Sequence, residues 1–99
     1  MQWWHQKPTH QKIIYGETAT FHCVSRGIPT PQVRWVKYKD GLMTNPIPIK
    51  HNRTRYSVYD NSTLVIEQVM YDDEGVYMCI STSPNLIRNV TASLDVYGM

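Results

Sequence analysis

Apolar and polar residues alternate with a period of two along several short stretches of this chain, the pattern of half-buried β-strands. The apolar positions are Ala19, Phe21 and Cys23; Val33 and Trp35; Tyr56 and Val58; Leu64 and Ile66; Tyr77 and Cys79; and Ala92, Leu94 and Val96. Turn-forming residues separate these runs at 27–31, 40–41, 60–62 and 83–85. Helical periodicity is nearly absent, and only 68–74 could form a single helical turn. The pattern predicts an all-β fold, a sandwich of two antiparallel sheets.

Prolines limit two of the predicted strands, because proline has no amide hydrogen to donate to a sheet. Pro8 predicts that the first strand breaks into two short edge pieces around residues 13–14. Pro46 and Pro48 predict that residues 42–50 form an edge strand or an irregular crossing.

Length and composition narrow the class of protein. A chain of 99 residues with 41% apolar and 18% charged residues fits one globular domain, here predicted to span 1–99. The net charge of +2 is too small for a nucleic-acid footprint. No apolar run reaches the roughly 20 residues that cross a bilayer, so we expect no membrane contact by this domain itself. No signal peptide is recognisable, and we expect the chain to be a fragment of a larger protein.

Motifs for catalysis or metal binding are missing from the sequence. There is no G-x-S-x-G motif, and no glycine-rich phosphate loop follows a predicted strand. The four histidines and two cysteines show no CxxC or HxxxH spacing. The acidic run 72–74 is explained by its place in a turn. We therefore predict no enzyme, no catalytic residues, no metal and no cofactor.

Three glycosylation acceptor triplets indicate the secretory pathway. They begin at Asn52, Asn61 and Asn89, each in or beside a predicted turn. In that oxidising compartment Cys23 and Cys79 should form a disulfide. The alternative is a pair of reduced, buried thiols in an intracellular domain.

Taken together, the residues around the two cysteines resemble an immunoglobulin domain. Trp35 follows Cys23 by 12 positions, and the segment 73–79, DEGVYMC, matches the family pattern D-x-G-x-Y-x-C. The segments Gly16-Glu17 and G-x-P-x-P-x-V-x-W at 27–35 resemble the intermediate (I-set) branch. That branch occurs in ectodomains of adhesion molecules and receptor tyrosine kinases, and in some muscle filament proteins.

The resemblance implies an immunoglobulin-like two-sheet Greek-key sandwich with one inter-sheet disulfide, whose strands are lettered A to G. It implies that Trp35 packs against the disulfide and that Tyr77 bonds its hydroxyl to upstream backbone. It also implies that Asp73 pairs with an arginine, Arg55 by position and Arg53 as the less favoured substitute. The sequence departs from the family pattern in two places. Residues 80–88 contain no glycine, which predicts a longer F–G loop. The stretch between strands C and D is long and contains prolines, which leaves strand C′ doubtful.

Alternation predicts an apolar outer surface on strands C and F, which we call the C-F-G face. If Trp35, Tyr77 and Cys79 point inward, the side chains pointing outward are Val36, Tyr38, Val76, Met78 and Ile80. Contiguous exposed apolar area marks interaction sites, so these residues are predicted to bind a protein partner. The alternative is that other strands, a loop or a neighbouring domain covers them.

A second candidate surface is the pole formed by the B–C and F–G loops, where Leu86 and Ile87 lie. These two side chains either bind a partner or cap the open end of the core. Glycans on Asn52 and Asn61 would partly mask the sheet that contains strands D and E, which leaves the C-F-G face more open. Asn89 is predicted at the rim of the C-F-G face.

Three functions remain open. The leading hypothesis is an extracellular protein-binding module of a receptor or adhesion protein, with homophilic contact as one option. The second is a growth-factor-receptor domain that binds heparan sulfate through its basic residues, which are Lys37, Lys39, Lys50, His51, Arg53 and Arg55. Solvated lysines with one structural arginine would explain the same cluster. The third is an intracellular structural spacer with reduced cysteines.

Overall fold

Ten short strands and one 3-10 turn make up the computed structural model, which describes residues 2–39, 44–50 and 55–98. In chain order the elements are β1 Gln2–Gln6, β2 Gln11–Ile14, β3 Ala19–Phe21, β4 Val24–Gly27, β5 Gln32–Tyr38, β6 Ile47–Ile49, β7 Tyr56–Val58, β8 Leu64–Ile66, the 3-10 turn Tyr71–Asp73, β9 Gly75–Ser83 and β10 Leu86–Tyr97. No helix among the described residues is long and apolar enough to cross a membrane.

The strands form two layers, as the alternation predicts. One sheet has the order β2-β10-β9-β5-β6, and the facing sheet contains β3-β8-β7. β1 pairs with β4, which follows β3 after two residues. All pairs are antiparallel except β2 with β10. The described strands correspond to A (β1), A′ (β2), B (β3 and β4), C (β5), C′ (β6), D (β7), E (β8), F (β9) and G (β10).

The core lies between the layers and is built around the predicted disulfide. Cys23 and Cys79 are joined across a sequence separation of 56, which confirms the pairing and ties β9 to the two-residue link between β3 and β4. Trp35 is 1% exposed and donates its indole N–H to the carbonyl of Ser62 at 2.8 Å. Phe21 packs between the rings of Trp35 and Tyr77, with centroids 6.2 and 5.3 Å away.

The first strand breaks near Pro8 as predicted, and its two pieces join different sheets. β6 is a real edge strand that pairs with β5 through Pro48 opposite Val36, so the doubt about strand C′ is removed. The edge position tolerates Pro48 because only one side of the strand is paired.

The expectation of a long F–G loop is wrong. β9 continues to Ser83 and β10 begins at Leu86, which leaves only Pro84 and Asn85 in the turn. The stretch without glycine continues the two strands instead of forming a loop, because its residues keep pairing across the hairpin.

Candidate functional site

A buried carboxylate holds the start of β9 in place. The side chain of Asp73 is 3% exposed and accepts two hydrogen bonds from Arg55, at 2.6 and 3.0 Å. It also accepts the hydroxyl of Tyr56 and the backbone N–H of Met70 at 2.8 Å. Burial opposes the charged form of Asp73, but these bonds outweigh it and lower the pKa of the carboxyl. Burial and the bond to Asp73 raise the pKa of Tyr56 to about 12.

Two further contacts fix where β9 emerges beside β5. Tyr77 donates its hydroxyl to the carbonyl of Asp73 at 2.6 Å, and burial raises the pKa of that hydroxyl. Gly75 has a φ of +154° and lies so close to Tyr38 that a Cβ would overlap the carbonyl oxygen of Tyr38. Only glycine accommodates both conditions. The backbone of β9 is therefore set directly against the end of β5.

The C-F-G face is assembled by the pairing register of β5 and β9. Val36 lies opposite Met78, and Tyr38 lies opposite Val76. Ile80 lies opposite Arg34, so the apolar stripe ends at a charged residue. Because directly opposed side chains on one face have Cβ atoms about 4.5–5.5 Å apart, these residues form one patch.

The patch is less open than the sequence suggests. Val36 is only 8% exposed, and Tyr38, Val76, Met78 and Ile80 are half-buried. The side chains of adjacent strands cover part of one another's surface, and β6 adds Pro48 beside Val36.

The pole presents more exposed apolar surface than the face. Leu86 is 45% exposed and Ile87 is 64% exposed, and both border a groove of about 860 Å³. The other residues that line the groove are Pro29, Thr30, Gln32, Thr82, Ser83, Pro84 and Asn85, from the β4–β5 loop and the β9–β10 hairpin. Ile28, in the same loop, is 80% exposed.

The alternative role of Leu86 and Ile87, as caps of the core, is wrong. A polar network from β1 closes that end instead: the amide of Gln2 accepts from Ser81 at 2.7 Å and donates to Ser83 at 3.0 Å. The hydroxyl oxygen of Ser81 in turn accepts from the hydroxyl of Ser25 at 2.7 Å, since its own single hydrogen is directed to Gln2. The sequence signal for this closure was the small polar residue at 81, which continues the inward-pointing series of Tyr77 and Cys79.

The acceptor asparagines lie in different surroundings. Asn61 follows β7 in the turn before β8, and its side-chain oxygen accepts the backbone N–H of Thr63 at 3.1 Å. Asn89 lies within β10, opposite Ile80. It is therefore on the C-F-G face at its rim, as predicted, because β2 pairs with β10 only at 94–97 and leaves β10 at the edge of the described sheet around Asn89. Asn52 lies outside the described residues.

The basic cluster is smaller than the sequence predicts. Lys37 is 7% exposed and donates to the carbonyl of Asp72 at 2.6 Å, with its ammonium 5.6 Å from the ring centroid of Tyr77. Burial lowers the pKa of Lys37. Arg55 is committed to Asp73. Lys39 and Lys50 are exposed, while His51 and Arg53 lie outside the described residues.

A surface cluster of His10, Ser93 and Asp95 was missed by the sequence reasoning. The imidazole Nδ1 of His10 is 2.6 Å from Ser93 Oγ, and its Nε2 is 3.4 Å from Asp95 Oδ2. The side chains of His10 and Asp95 are more than half exposed, and the cluster lies on an open strand surface. It ties the segment before β2 to β10. Period-two spacing of Ser93 and Asp95 places them on one side of β10, but nothing local predicts that His10 reaches them.

Comparison with known proteins identifies the family to which this architecture belongs. The sequence model of the immunoglobulin I-set domain matches residues 4–96. The chain belongs to the immunoglobulin I-set family. This I-set domain is 37% identical over 89 residues to vascular endothelial growth factor receptor 1 of Rattus norvegicus, covering 90% of the chain and 6% of that receptor. It is 37% identical over 91 residues to Roundabout homolog 2 of Homo sapiens, covering 92% of the chain and 6% of that protein.

A solved structure, the extracellular domains 3–5 of Drosophila OTK, superposes with a TM-score of 0.83 at 25% identity, covering 98% of this chain and 32% of that one. This I-set domain is thus similar to domains of cell-surface receptors and adhesion proteins. It spans a small part of those proteins, and I-set domains are typically binding modules without catalysis of their own.

Proposed function

We propose that this I-set domain is an extracellular protein-binding module of a cell-surface receptor or adhesion protein, and that it holds a protein partner at the pole. The observation that carries the proposal is the exposure of Leu86 and Ile87 beside a groove of about 860 Å³. Exposed aliphatic side chains around a concavity are a common feature of binding surfaces, and loops on a rigid sandwich commonly supply them.

The C-F-G face is the second candidate surface for the same function. Its five apolar residues are mostly half-buried, so it offers a partner less apolar area than the pole does. An extracellular location is supported by the disulfide between Cys23 and Cys79 and by the acceptor triplets at Asn61 and Asn89. An intracellular spacer would instead have reduced cysteines and unmodified asparagines.

Binding of heparan sulfate is less well supported, since Lys37 and Arg55 are engaged inside the fold. Retention of the domain on heparin beyond that of a protein of equal net charge would favour it.

The test uses the glycosylated domain, secreted from a eukaryotic host and applied to intact cells with measurement of saturable binding. The double variant Leu86→Ser/Ile87→Ser should weaken binding about tenfold or more, because a few residues near the centre of an interface carry most of its binding energy. The matched control is Ile14→Ser, since Ile14 is 46% exposed and lies at the far end of the sheet, opposite Tyr97. Both variants should keep the wild-type melting temperature.

The outcomes separate the candidates. Unchanged binding by Leu86→Ser/Ile87→Ser, with loss on Met78→Ser/Ile80→Ser, would move the site to the C-F-G face. Saturable binding that requires the same chain on the cell, together with self-association in sedimentation, would identify a homophilic contact. A free-thiol, unglycosylated product would favour the intracellular spacer.

A further inference from the structure

The acceptor triplet at Asn89 lies in the middle of a strand, with its reactive side chain on the outer surface. Val90 packs against the core, and Ala92, Leu94 and Val96 on the same side of β10 are buried. Alternation therefore turns Asn89 and Thr91 outward, and both are exposed.

The register then sets what surrounds this asparagine. Asn89 lies opposite Ile80, whose other neighbour is Arg34. Thr91 lies opposite Met78, whose other neighbour is Val36. Since opposed Cβ atoms are about 4.5–5.5 Å apart, a sugar attached to Asn89 begins beside Ile80 and within reach of Met78.

The chemistry of this surface suits a sugar of the N-acetylglucosamine type. Such a sugar has an apolar ring face and an acetyl methyl group, and Ile80 and Met78 offer a half-buried apolar surface beside it. Arg34, exposed at the edge of the stripe, supplies donors for the hydroxyl or carbonyl oxygens of a glycan. Asn61 differs, because its side-chain oxygen is held by Thr63 within its own turn.

We propose that Asn89 carries an N-linked glycan whose first N-acetylglucosamine packs on Ile80 and Met78 and covers this half of the C-F-G face. In the attachment step, Asn89 Nδ2 loses a proton and bonds to C1 of the first sugar. The bond from C1 to a lipid-linked pyrophosphate donor breaks, the pyrophosphate leaves with the electron pair, and a base of the glycosyltransferase that catalyses the step takes up the proton from Nδ2. With this face covered by the sugar, the pole is the larger surface open to a protein partner. This last step rests on the function proposed above.

The test compares the secreted domain with Asn89→Gln, which cannot be modified, and with Thr91→Ser, which keeps the acceptor triplet. Peptide mapping by mass spectrometry should find sugar on residue 89 in the wild type and in Thr91→Ser. Thr91→Ala is a second variant without the acceptor triplet and replaces Asn89→Gln if that protein fails to fold.

Coverage is then measured as the rate at which a mild peroxide oxidises Met78. The glycosylated domain should react about threefold more slowly than Asn89→Gln, because methionine oxidation follows exposure. Met70, 38% exposed and outside the C-F-G face, is the internal control and should react at the same rate in both proteins. An endoglycosidase that leaves the first sugar in place should preserve the protection, whereas protection that disappears with the outer sugars contradicts the packing proposed for the first one.

An unmodified Asn89 in the secreted protein overturns the proposal, as does an equal rate for Met78 with and without sugar. No partner takes part in these measurements, so a negative result in them does not bear on partner binding at the pole. Conversely, loss of the proposed function in the Leu86→Ser/Ile87→Ser experiment leaves the glycan result standing.

Discussion

Replacing Asp73 with asparagine tests whether the buried ion pair holds β9 in position. The substitution keeps the size of the side chain and removes its charge. Asp73 accepts four hydrogen bonds, two from Arg55 and one each from Tyr56 and Met70. Asparagine has one carbonyl oxygen to accept such bonds, and its amide hydrogens would face donors that can no longer find an acceptor.

The expected loss follows from the burial of the two partners. Breaking a buried ion pair by removing one partner costs about 3–5 kcal/mol. Arg55 is 25% exposed and can recover part of its hydration, which places Asp73→Ala near the lower limit. We expect Asp73→Ala to lower the free energy of unfolding by about 3 kcal/mol and Asp73→Asn by about 2 kcal/mol, since asparagine retains one acceptor.

The loss should depend on pH in a defined direction. The pKa of Asp73 is lower in the folded state than the ordinary pKa of an aspartyl carboxyl, so the folded state favours the ionised form. The stabilisation is complete well above the unfolded pKa and is lost as the pH falls through the folded pKa. The difference between wild type and Asp73→Asn should therefore be constant near neutral pH and narrow below about pH 4.

Urea unfolding, followed by tryptophan fluorescence at pH 7 and at pH values down to 2, measures both effects. Asp72→Asn is the matched control, because Asp72 is the exposed neighbour and should change stability by less than about 0.5 kcal/mol. Equal losses of stability in Asp73→Asn and Asp72→Asn would contradict a stabilising role for the Asp73 charge. A difference between wild type and Asp73→Asn that stays constant down to pH 2 would also contradict it.

Two further predictions concern the backbone and the disulfide. Gly75→Ala should lower the free energy of unfolding by about 3 kcal/mol, because φ is +154° and the new Cβ overlaps the carbonyl of Tyr38. Gly16→Ala, where φ is +92° but no atom lies within 4 Å, should lose only about 1 kcal/mol in the same urea assay, and equal losses would contradict the overlap. Replacing Cys23 and Cys79 together with alanine should lose about 4 kcal/mol, since the bond closes a loop of 56 residues; a loss below about 1 kcal/mol would show that the bridge contributes little.

Several features of the candidate site could be predicted from local pattern. Alternation around Trp35 and Cys79 assigns Val36, Met78 and Ile80 to the outer side of their strands, since a strand turns successive side chains to opposite faces. The same rule assigns Lys37 to the inner side with Trp35. The predicted basic cluster nevertheless included Lys37 as an exposed residue, and the structure shows that Lys37 is buried.

Other features depend on which residues meet across the sheets, and local pattern carries no such information. The F–G connection was misjudged because a missing glycine says little about where pairing stops. The closure of the pole by Gln2 joins residues 79 positions apart in sequence, Gln2 and Ser81, and no periodicity relates them.

By itself, the sequence determined the all-β class, the inward and outward sides of each strand, and the pair of cysteines that bridges the layers. These properties follow from side-chain period and residue type, which are local. Only the tertiary structure decided the register that sets Asn89 beside Ile80, the exposure of Leu86 and Ile87, and the place of Lys37 under Tyr77. Register and exposure arise from packing between strands distant in the chain, so they exist only once the sheets have assembled.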